Sequence, residues 1–231
     1  VYLLTFLLIL GADKINSLVR SNREKQLLEW QMKAFKEQFN VHFTFNTLNA
    51  IGSVIYSHEP EKAHQLFTKF SGLIRISLEN SDRTFLLLEE EIDYVKKYLD
   101  LQKFRFKDKL EFVLQIDEHI DTSIKIPKML IQTYLENAFK HAFVSPDKIH
   151  RLTIQVLKHG KQILVTVEDN GPGIRKVSTT NGTQKGMKLM EQYFKMFYKL
   201  HQTKVNQQVD TVYDDQKNIN GTKVTLKIEP V

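Results

Sequence analysis

The apolar residues of this chain change their period once, and that change limits the fold more than any other feature. Up to about residue 107 they recur at spacings of three and four, the repeat of helices that bury one face. Val41, Phe45, Leu48, Ile51 and Ile55 share one such face. Ala63, Leu66, Phe67, Phe70, Leu73, Ile74 and Leu78 share another. From Leu110 the pattern alternates, so that Leu110, Phe112, Leu114 and Ile116 fall on one side of an extended strand. A chain written this way is α+β, with a helical half of about 100 residues before an α/β half of about 125.

Within the helical half, residues 13–40 read as a connecting helix with one narrow stripe of Leu28, Met32, Phe35 and Phe39. Residues 41–57 continue as a helix. Pro60 suits the first turn of the next one, which ends at Asn80-Ser81-Asp82. A third helix is expected at about 89–107, opened by Glu89, Glu90 and Glu91, whose charges favour a helix N-terminus. In the second half Ile126-Pro127 is expected to open a helix that runs through His141. Strands at 151–157 and 162–168 flank the turn His159-Gly160-Lys161, and a helix covers 186–200. Strands at 205–213 and 222–229 form a closing antiparallel pair.

The opening VYLLTFLLIL is apolar and uncharged but half the length of a membrane span, which needs about 20 residues. Lys14, Arg20, Arg23 and Lys25 follow, as on the cytoplasmic flank of a span. Residues 1–12 are therefore expected to end a transmembrane helix, residues 13–107 to form the linker helix and helical domain, and residues 108–231 the α/β domain. This places the fragment on the cytoplasmic side of a cell membrane. With 42% hydrophobic and 26% charged residues, wholesale disorder is excluded. The absence of Cys excludes disulfides, thiolate metal sites and a cysteine nucleophile. The net charge of +6 is spread without a run of five Lys or Arg, so it reads as solubility and local anion sites, and no nucleic-acid partner is expected.

Four segments carry residues suited to chemistry. In Asn40-Val41-His42-Phe43-Thr44-Phe45-Asn46, His42, Asn46 and Asn49 form a polar stripe beside an apolar helix face. A neutral imidazole there is a competent nucleophile, and Asn46 can steer its ring. In Leu135-Glu136-Asn137-Ala138-Phe139-Lys140-His141, Asn137 offers a hard oxygen to Mg²⁺, and Lys140 and His141 can meet phosphate oxygens. Glu168-Asp169-Asn170-Gly171-Pro172-Gly173 follows a strand. There Asp169 can accept from an exocyclic amine, and Gly171 and Gly173 let the backbone approach a flat ligand. Asn181-Gly182-Thr183-Gln184-Lys185-Gly186 reads as a glycine loop feeding a helix at Gly186, an arrangement that binds phosphate.

The order of these segments resembles the sensor histidine kinases of the LytS type. Their phosphoacceptor segment resembles Asn-Pro-His-Phe-x-Phe-Asn, beside Asn40 through Asn46 here, and Leu88-Glu89-Glu90-Glu91 through Tyr98-Leu99 to Arg105-Phe106 looks like their third helix. The resemblance covers roughly residues 30–229. It implies a helical dimerisation and phosphoacceptor hairpin followed by a gyrase-like α/β sandwich that binds ATP and Mg²⁺. It implies His42 as phosphoacceptor, Asn137 at Mg²⁺, and Lys140 and His141 at the phosphates. Asp169 with Gly171 and Gly173 would lie at adenine, Gly182 and Gly186 in the lid, and Gly221 and Thr222 on the pocket floor. The implied partners are a response regulator, a second copy in a homodimer, and the membrane through the upstream segment.

Three residues depart from the family pattern: Val41 for Pro, Gln184 for a lid glycine, and Leu189 for Asn. A left-handed Gln184 would strain the lid, which keeps a degenerate, non-catalytic signalling scaffold as an alternative. A gyrase-like ATP hydrolase is the other alternative. It needs a general base four residues before Asn137, where this chain has Thr133, while Glu136 points about 100° away.

Overall fold

The computed structural model describes residues 5, 10–20, 22–23, 26, 41–80, 83–143, 148–174 and 182–230, with backbone alone at 41–42 and 182–189. The chain divides into two compact units, residues 1–45 and 46–231. In the first, residues 10–20 are helical and exposed. Among the described residues no helix is long and apolar enough to cross a membrane. Most of the apolar opening, and the stripe of Leu28, Met32, Phe35 and Phe39, lie outside the described residues.

Helix α1 (Val41–Tyr56) continues into the second unit, where a tight turn joins it to α2 (Pro60–Glu79). His58 turns the chain in the left-handed region at φ 59°, and the Glu59 N–H donates to the Val54 carbonyl. Pro60 follows in the first turn, where its missing N–H costs no helical bond. Ala63, Leu66, Phe70 and Leu73 bury the inner face of α2. Other members of the expected apolar faces stay in water: Ile55 is 62% exposed, Phe67 54% and Leu78 49%.

Strand β1 (Phe85–Leu87) precedes α3 (Leu88–Phe106), and β2 (Leu110–Ile116) follows it. Glu90 accepts the Leu87 N–H at 2.7 Å and holds Arg83 in a two-pronged ion pair, which satisfies the start of α3. The sequence pattern groups α3 with the helical half. In the structure it contacts α2, and also β2 and the helix that follows β3.

The helix expected from Ile126 begins later. Ile126 and Pro127 belong to β3 (Lys125–Pro127), which pairs antiparallel with β1 in the register Phe85↔Pro127. A residue before proline favours extended backbone, and proline is tolerated where no ladder donor is required. Met129, at φ 60°, reverses the chain, and α4 starts only at Leu130 (Leu130–Asn137). It ends in a π turn, Ala138–Ala142.

The main sheet has the order β2-β4-β5-β7-β6, built from β2, β4 (His150–His159), β5 (Gln162–Asp169), β6 (Lys204–Tyr213) and β7 (Ile219–Glu229). Only β2 and β4 run parallel, and the segment carrying β3 and α4 supplies the crossover that such a pair needs. Ile154, Val156, Val165, Leu226 and Ile228 are buried, while Val113 is 57% exposed, so one face carries the core. Helix α4 contacts β5, and α5 (Gly182–His201) contacts β6. Leu130, Ile131, Leu135, Phe194 and Phe197 supply the helical side of that core. The result is the mixed sheet covered by helices expected for an α+β chain.

Candidate functional site

Strand β5 delivers Asp169 to the end of the sheet, opposite Thr222 on β7. The two strands approach so closely because residue 221 is glycine. A methyl group there would stand 1.7 Å from the Asp169 carbonyl oxygen, and its φ of 141° disfavours any side chain. The Asp169 carboxylate is then gripped at one oxygen. Its Oδ1 accepts the Gly171 N–H at 2.8 Å and the Thr222 N–H at 3.3 Å. Among the described residues both bonds fall on Oδ1, which leaves Oδ2 to accept from a ligand. Burial holds the carboxyl above the ordinary aspartate range; the two amides pull it down and Glu168 pushes it up.

The turn after Asp169 is tied to its surroundings at Asn170, Gly171 and Gly173. The Asn170 side chain accepts the Arg151 N–H and donates to the Ile149 carbonyl, both at 2.8 Å. A methyl group added at Gly171 would stand 2.3 Å from Ala142 Cβ. Gly173 lies against β6 and β7, where an added methyl would meet Ile219 Cγ2 at 2.5 Å and Thr211 Cγ2 at 2.9 Å.

Ala142 ends the π turn that follows α4, so the contact at Gly171 joins the second and third of the expected segments. Aromatic rings fix the inner side of that π turn. Phe139 meets Tyr98, Phe106 and Phe143 at 5.1–5.7 Å between centroids, and Phe143 stacks on His150 at 4.6 Å. Asn137, Lys140 and His141 are left exposed. Burial and the neighbouring Lys140 charge hold the His141 ring below its ordinary pKa, so it is neutral near pH 7. Among the described residues no cluster of three or more His, Asp or Glu could hold a metal. A lone amide at Asn137 suits Mg²⁺, which is bound by few protein ligands together with phosphates and water.

Both residues read as candidates for a base near Asn137 are hydrogen-bonded within α4. Thr133 donates its hydroxyl to the Met129 carbonyl at 2.7 Å, and Glu136 accepts from the Gln132 side chain at 2.7 Å.

The fourth segment differs from its expected form. Helix α5 starts at Gly182 and not at Gly186, so Gly182 through Gly186 are its opening residues. Gln184 is therefore helical, and the left-handed strain expected of it does not arise. Asn181 lies outside the described residues. His42 and Asn46 stand one turn apart on α1, and Asn46 is half-buried; the His42 side chain lies outside what the structure describes. Thus Asp169, Gly171, Gly173, Thr222 and the end of the Asn137–Ala142 segment are brought together.

Two contributors were not singled out from sequence. Asn170 sits inside a quoted motif, and an Asn before Gly is a common turn staple. Ala142 carries no signal at all.

Comparison with known proteins points in one direction. The family model described as histidine kinase matches residues 30–110. The sensor histidine kinase YesM of Bacillus subtilis is 33% identical over 75% of this chain and 30% of its own length. The sensor protein LytS of Bacillus cereus is 30% identical over 67% of this chain and 26% of its own length. The chain thus spans less than a third of either relative. The structure of histidine kinase ThkA in complex with response regulator protein TrrA matches with a TM-score of 0.41 at 15% identity, over 90% of this chain and 64% of that one, too loosely to locate any residue.

Proposed function

The chain belongs to the sensor histidine kinase family of the LytS type, and from that premise we propose that it binds Mg-ATP and phosphorylates itself on His42. The observation that carries the nucleotide half of this reading is the Asp169 carboxylate, with Oδ1 held by two backbone amides and Oδ2 left over. Oδ2 accepts from the exocyclic amine of adenine. Guanine presents a carbonyl at that point and is rejected, acceptor against acceptor. Gly171 and Gly173 keep the turn low enough for a flat base. Thr222 fixes the far side of the carboxylate.

Lys140 and His141 stand on the exposed side of the π turn and meet the phosphates. Gly182 and Gly186 open α5, whose N-terminal amides favour an anion. Asn137 would hold Mg²⁺, which would supply charge neutralisation at the transferring group. The His42 imidazole nitrogen forms the N–P bond as the bond from the γ-phosphorus to the ADP oxygen breaks, and the ring proton leaves to solvent. Asn46 orients the ring. The phosphoryl group then passes to an aspartate of a response regulator. The exposed Ile55, Phe67 and Leu78 suit a homodimer of helical hairpins, and the apolar opening suits attachment to a cell membrane. Hydrolysis of ATP by water is disfavoured because Thr133 stands where its base would be. The scaffold reading loses its main argument, since a helical Gln184 carries no strain.

The test is labelling with γ-³²P-ATP of the parent chain and of His42→Gln, beside calorimetric titration of Mg-ATP into both. The parent should carry a label that is lost in acid and kept in alkali, as a phosphoramidate is. His42→Gln should bind Mg-ATP like the parent and take no label. Undiminished labelling of His42→Gln refutes the phosphoacceptor, and absent Mg-ATP binding by the parent refutes the kinase reading in favour of the scaffold.

A further inference from the structure

Helix α4 is only eight residues long and begins without a cap of its own. Its N-cap residue is Met129, left-handed and apolar, with no side-chain bond to the helix. The first amides of a helix have no partner inside it, and here they face the protein interior, where an unmet donor is costly. Glu91 of α3 meets them. It is 1% exposed, and its carboxylate accepts the N–H of Met129 at 3.2 Å, of Ile131 at 3.0 Å and of Gln132 at 3.1 Å. Gln132 adds a second tie to α3 by donating to the Tyr94 hydroxyl at 2.9 Å.

We propose that Glu91 is a positioning residue for the nucleotide site: by gripping the N-terminus of α4 it sets where Asn137 and the π turn stand against the Asp169 turn. This rests on the reading of that site as the Mg-ATP site. Eight residues make a rod of about 12 Å, too short to hold its direction unless both ends are fixed. At the far end Ala142 is already in contact range of Gly171, where not even a methyl group fits. The near end is held by Glu91. A buried leucine would pack there, but it would leave three amides unmet and the helix free to shift along α3. The carboxylate's length also matters, since one oxygen takes two amides of the first turn and the other takes the amide that precedes them.

Among the described residues, Lys128, Tyr94 and Tyr193 are the ionisable groups that act on this carboxylate or are acted on by it. Lys128, before α4, attracts it, and its ammonium donates to the Asn80 carbonyl. Tyr94 from α3 and Tyr193 from α5 are buried phenols pushed above their ordinary range, and so neutral. Burial pushes the Glu91 carboxyl up to about 7, against the pull of the three amides and Lys128. Its protonation therefore falls in an accessible range and gives the role a signature that mere packing lacks.

The experiment compares Mg-ATP affinity of the parent and Glu91→Gln from pH 6 to pH 8. Glutamine keeps the shape and imitates the protonated acid, so effects of pH on the nucleotide cancel in the ratio. The parent should bind about tenfold more tightly at pH 8 and nearly equally at pH 6, a loss typical of removing a group that orients a ligand-binding residue. Equal affinity at pH 8, or a ratio that does not change with pH, overturns the proposal. If Glu91→Gln does not fold, NMR titration of the parent reads the same contact. The amide resonances of Ile131 and Gln132 should move together with the Glu91 carboxyl carbon, and the Asn137 amide should follow. Amides that ignore the carboxyl, or an Asn137 amide that does not follow, overturn it. Failure of the parent to bind Mg-ATP at all would refute the function proposed above, while the NMR arm would still report on Glu91.

Discussion

Gly171→Ala is the sharpest test of how the site is assembled. The added methyl would stand 2.3 Å from Ala142 Cβ, 2.7 Å from Ala142 Cα and 2.8 Å from Asp169 Oδ1. Carbon atoms in contact settle at about 3.5–4.0 Å, so the π turn and the Asp169 turn must separate by more than about 1 Å. Overpacking of this kind costs about 1–3 kcal/mol. The separation also pulls the Gly171 N–H from the carboxylate it meets at 2.8 Å, a bond to a charged group worth roughly 1.5–3 kcal/mol. The expected total is about 1–3 kcal/mol if that bond survives and about 2.5–6 kcal/mol if it breaks. A unit of this size loses about 2–4 °C of melting temperature per kcal/mol, so melting should fall by roughly 5–24 °C where the bond breaks. Adding Ala142→Gly removes one of the two colliding methyl groups but not the Cα, and should restore part of the loss. Thermal melting of parent, single and double variants, with Mg-ATP titrations of each, measures both effects. A Gly171→Ala protein that melts and binds like the parent would refute the contact between the two segments, and with it the assembled site.

Other predictions concern single groups. Asp169→Asn should weaken ATP binding by about 10- to 150-fold and erode the preference for ATP over GTP, read by competitive titration; parent-like selectivity would remove Asp169 from the adenine. Gln184→Gly puts glycine into the opening turn of α5. It should cost about 0.5–1 kcal/mol of stability and leave ATP affinity within about twofold. A clear gain in affinity would instead mean that this turn unwinds around the nucleotide. The Glu91 carboxyl titrates near 7 when folded against an ordinary 4.5, so between those values the folded protein holds the extra proton. Stability should therefore fall as pH rises through that window, and on acidification the parent should gain melting temperature relative to Glu91→Gln, most between about pH 5 and 7.5. A difference independent of pH would show that the carboxyl is not buried as described.

Much of the fold was legible because its signals are local. Leu110 through Ile116 alternate, and β2 has those bounds. The turn at Gly160 was legible from residue type, and Gly160 takes φ 63°. Ile126-Pro127 was misread for a physical reason. Proline suits both the first turn of a helix and an unpaired strand position, and the choice between them is made by Phe85–Leu87, some forty residues earlier, a three-residue strand without a period of its own. The parallel pairing of β2 with β4 is likewise a long-range choice that no local pattern contains. Which of Glu89, Glu90 and Glu91 points inward depends on the rotation of α3 against α4. In sequence, all three read alike as acidic residues that suit a helix start.

The candidate site divides along the same line. Asp169 and the glycines after it stand out in sequence by residue type alone, and the structure brings Asp169, Gly171 and Gly173 into one turn. Gly221 was legible as a glycine before a strand, but its reason was not. It exists to let β7 pass within reach of the Asp169 carbonyl, which places the Thr222 N–H on the carboxylate. Ala142 shows the limit most plainly. The Cα and Cβ there stand where a methyl group on Gly171 would collide, so the π turn and the Asp169 turn meet backbone to backbone. Nothing in an alanine's chemistry announces this. Asn137, Lys140 and His141 each announce themselves by chemistry, yet where they stand is decided by Ala142 at one end of the segment and by Glu91 at the other, two residues that touch no ligand in the reading proposed here. A substitution survey guided by reactive side chains alone would pass over both. Loss of nucleotide binding with Asp169 and Asn137 intact is therefore the outcome to look for at either position.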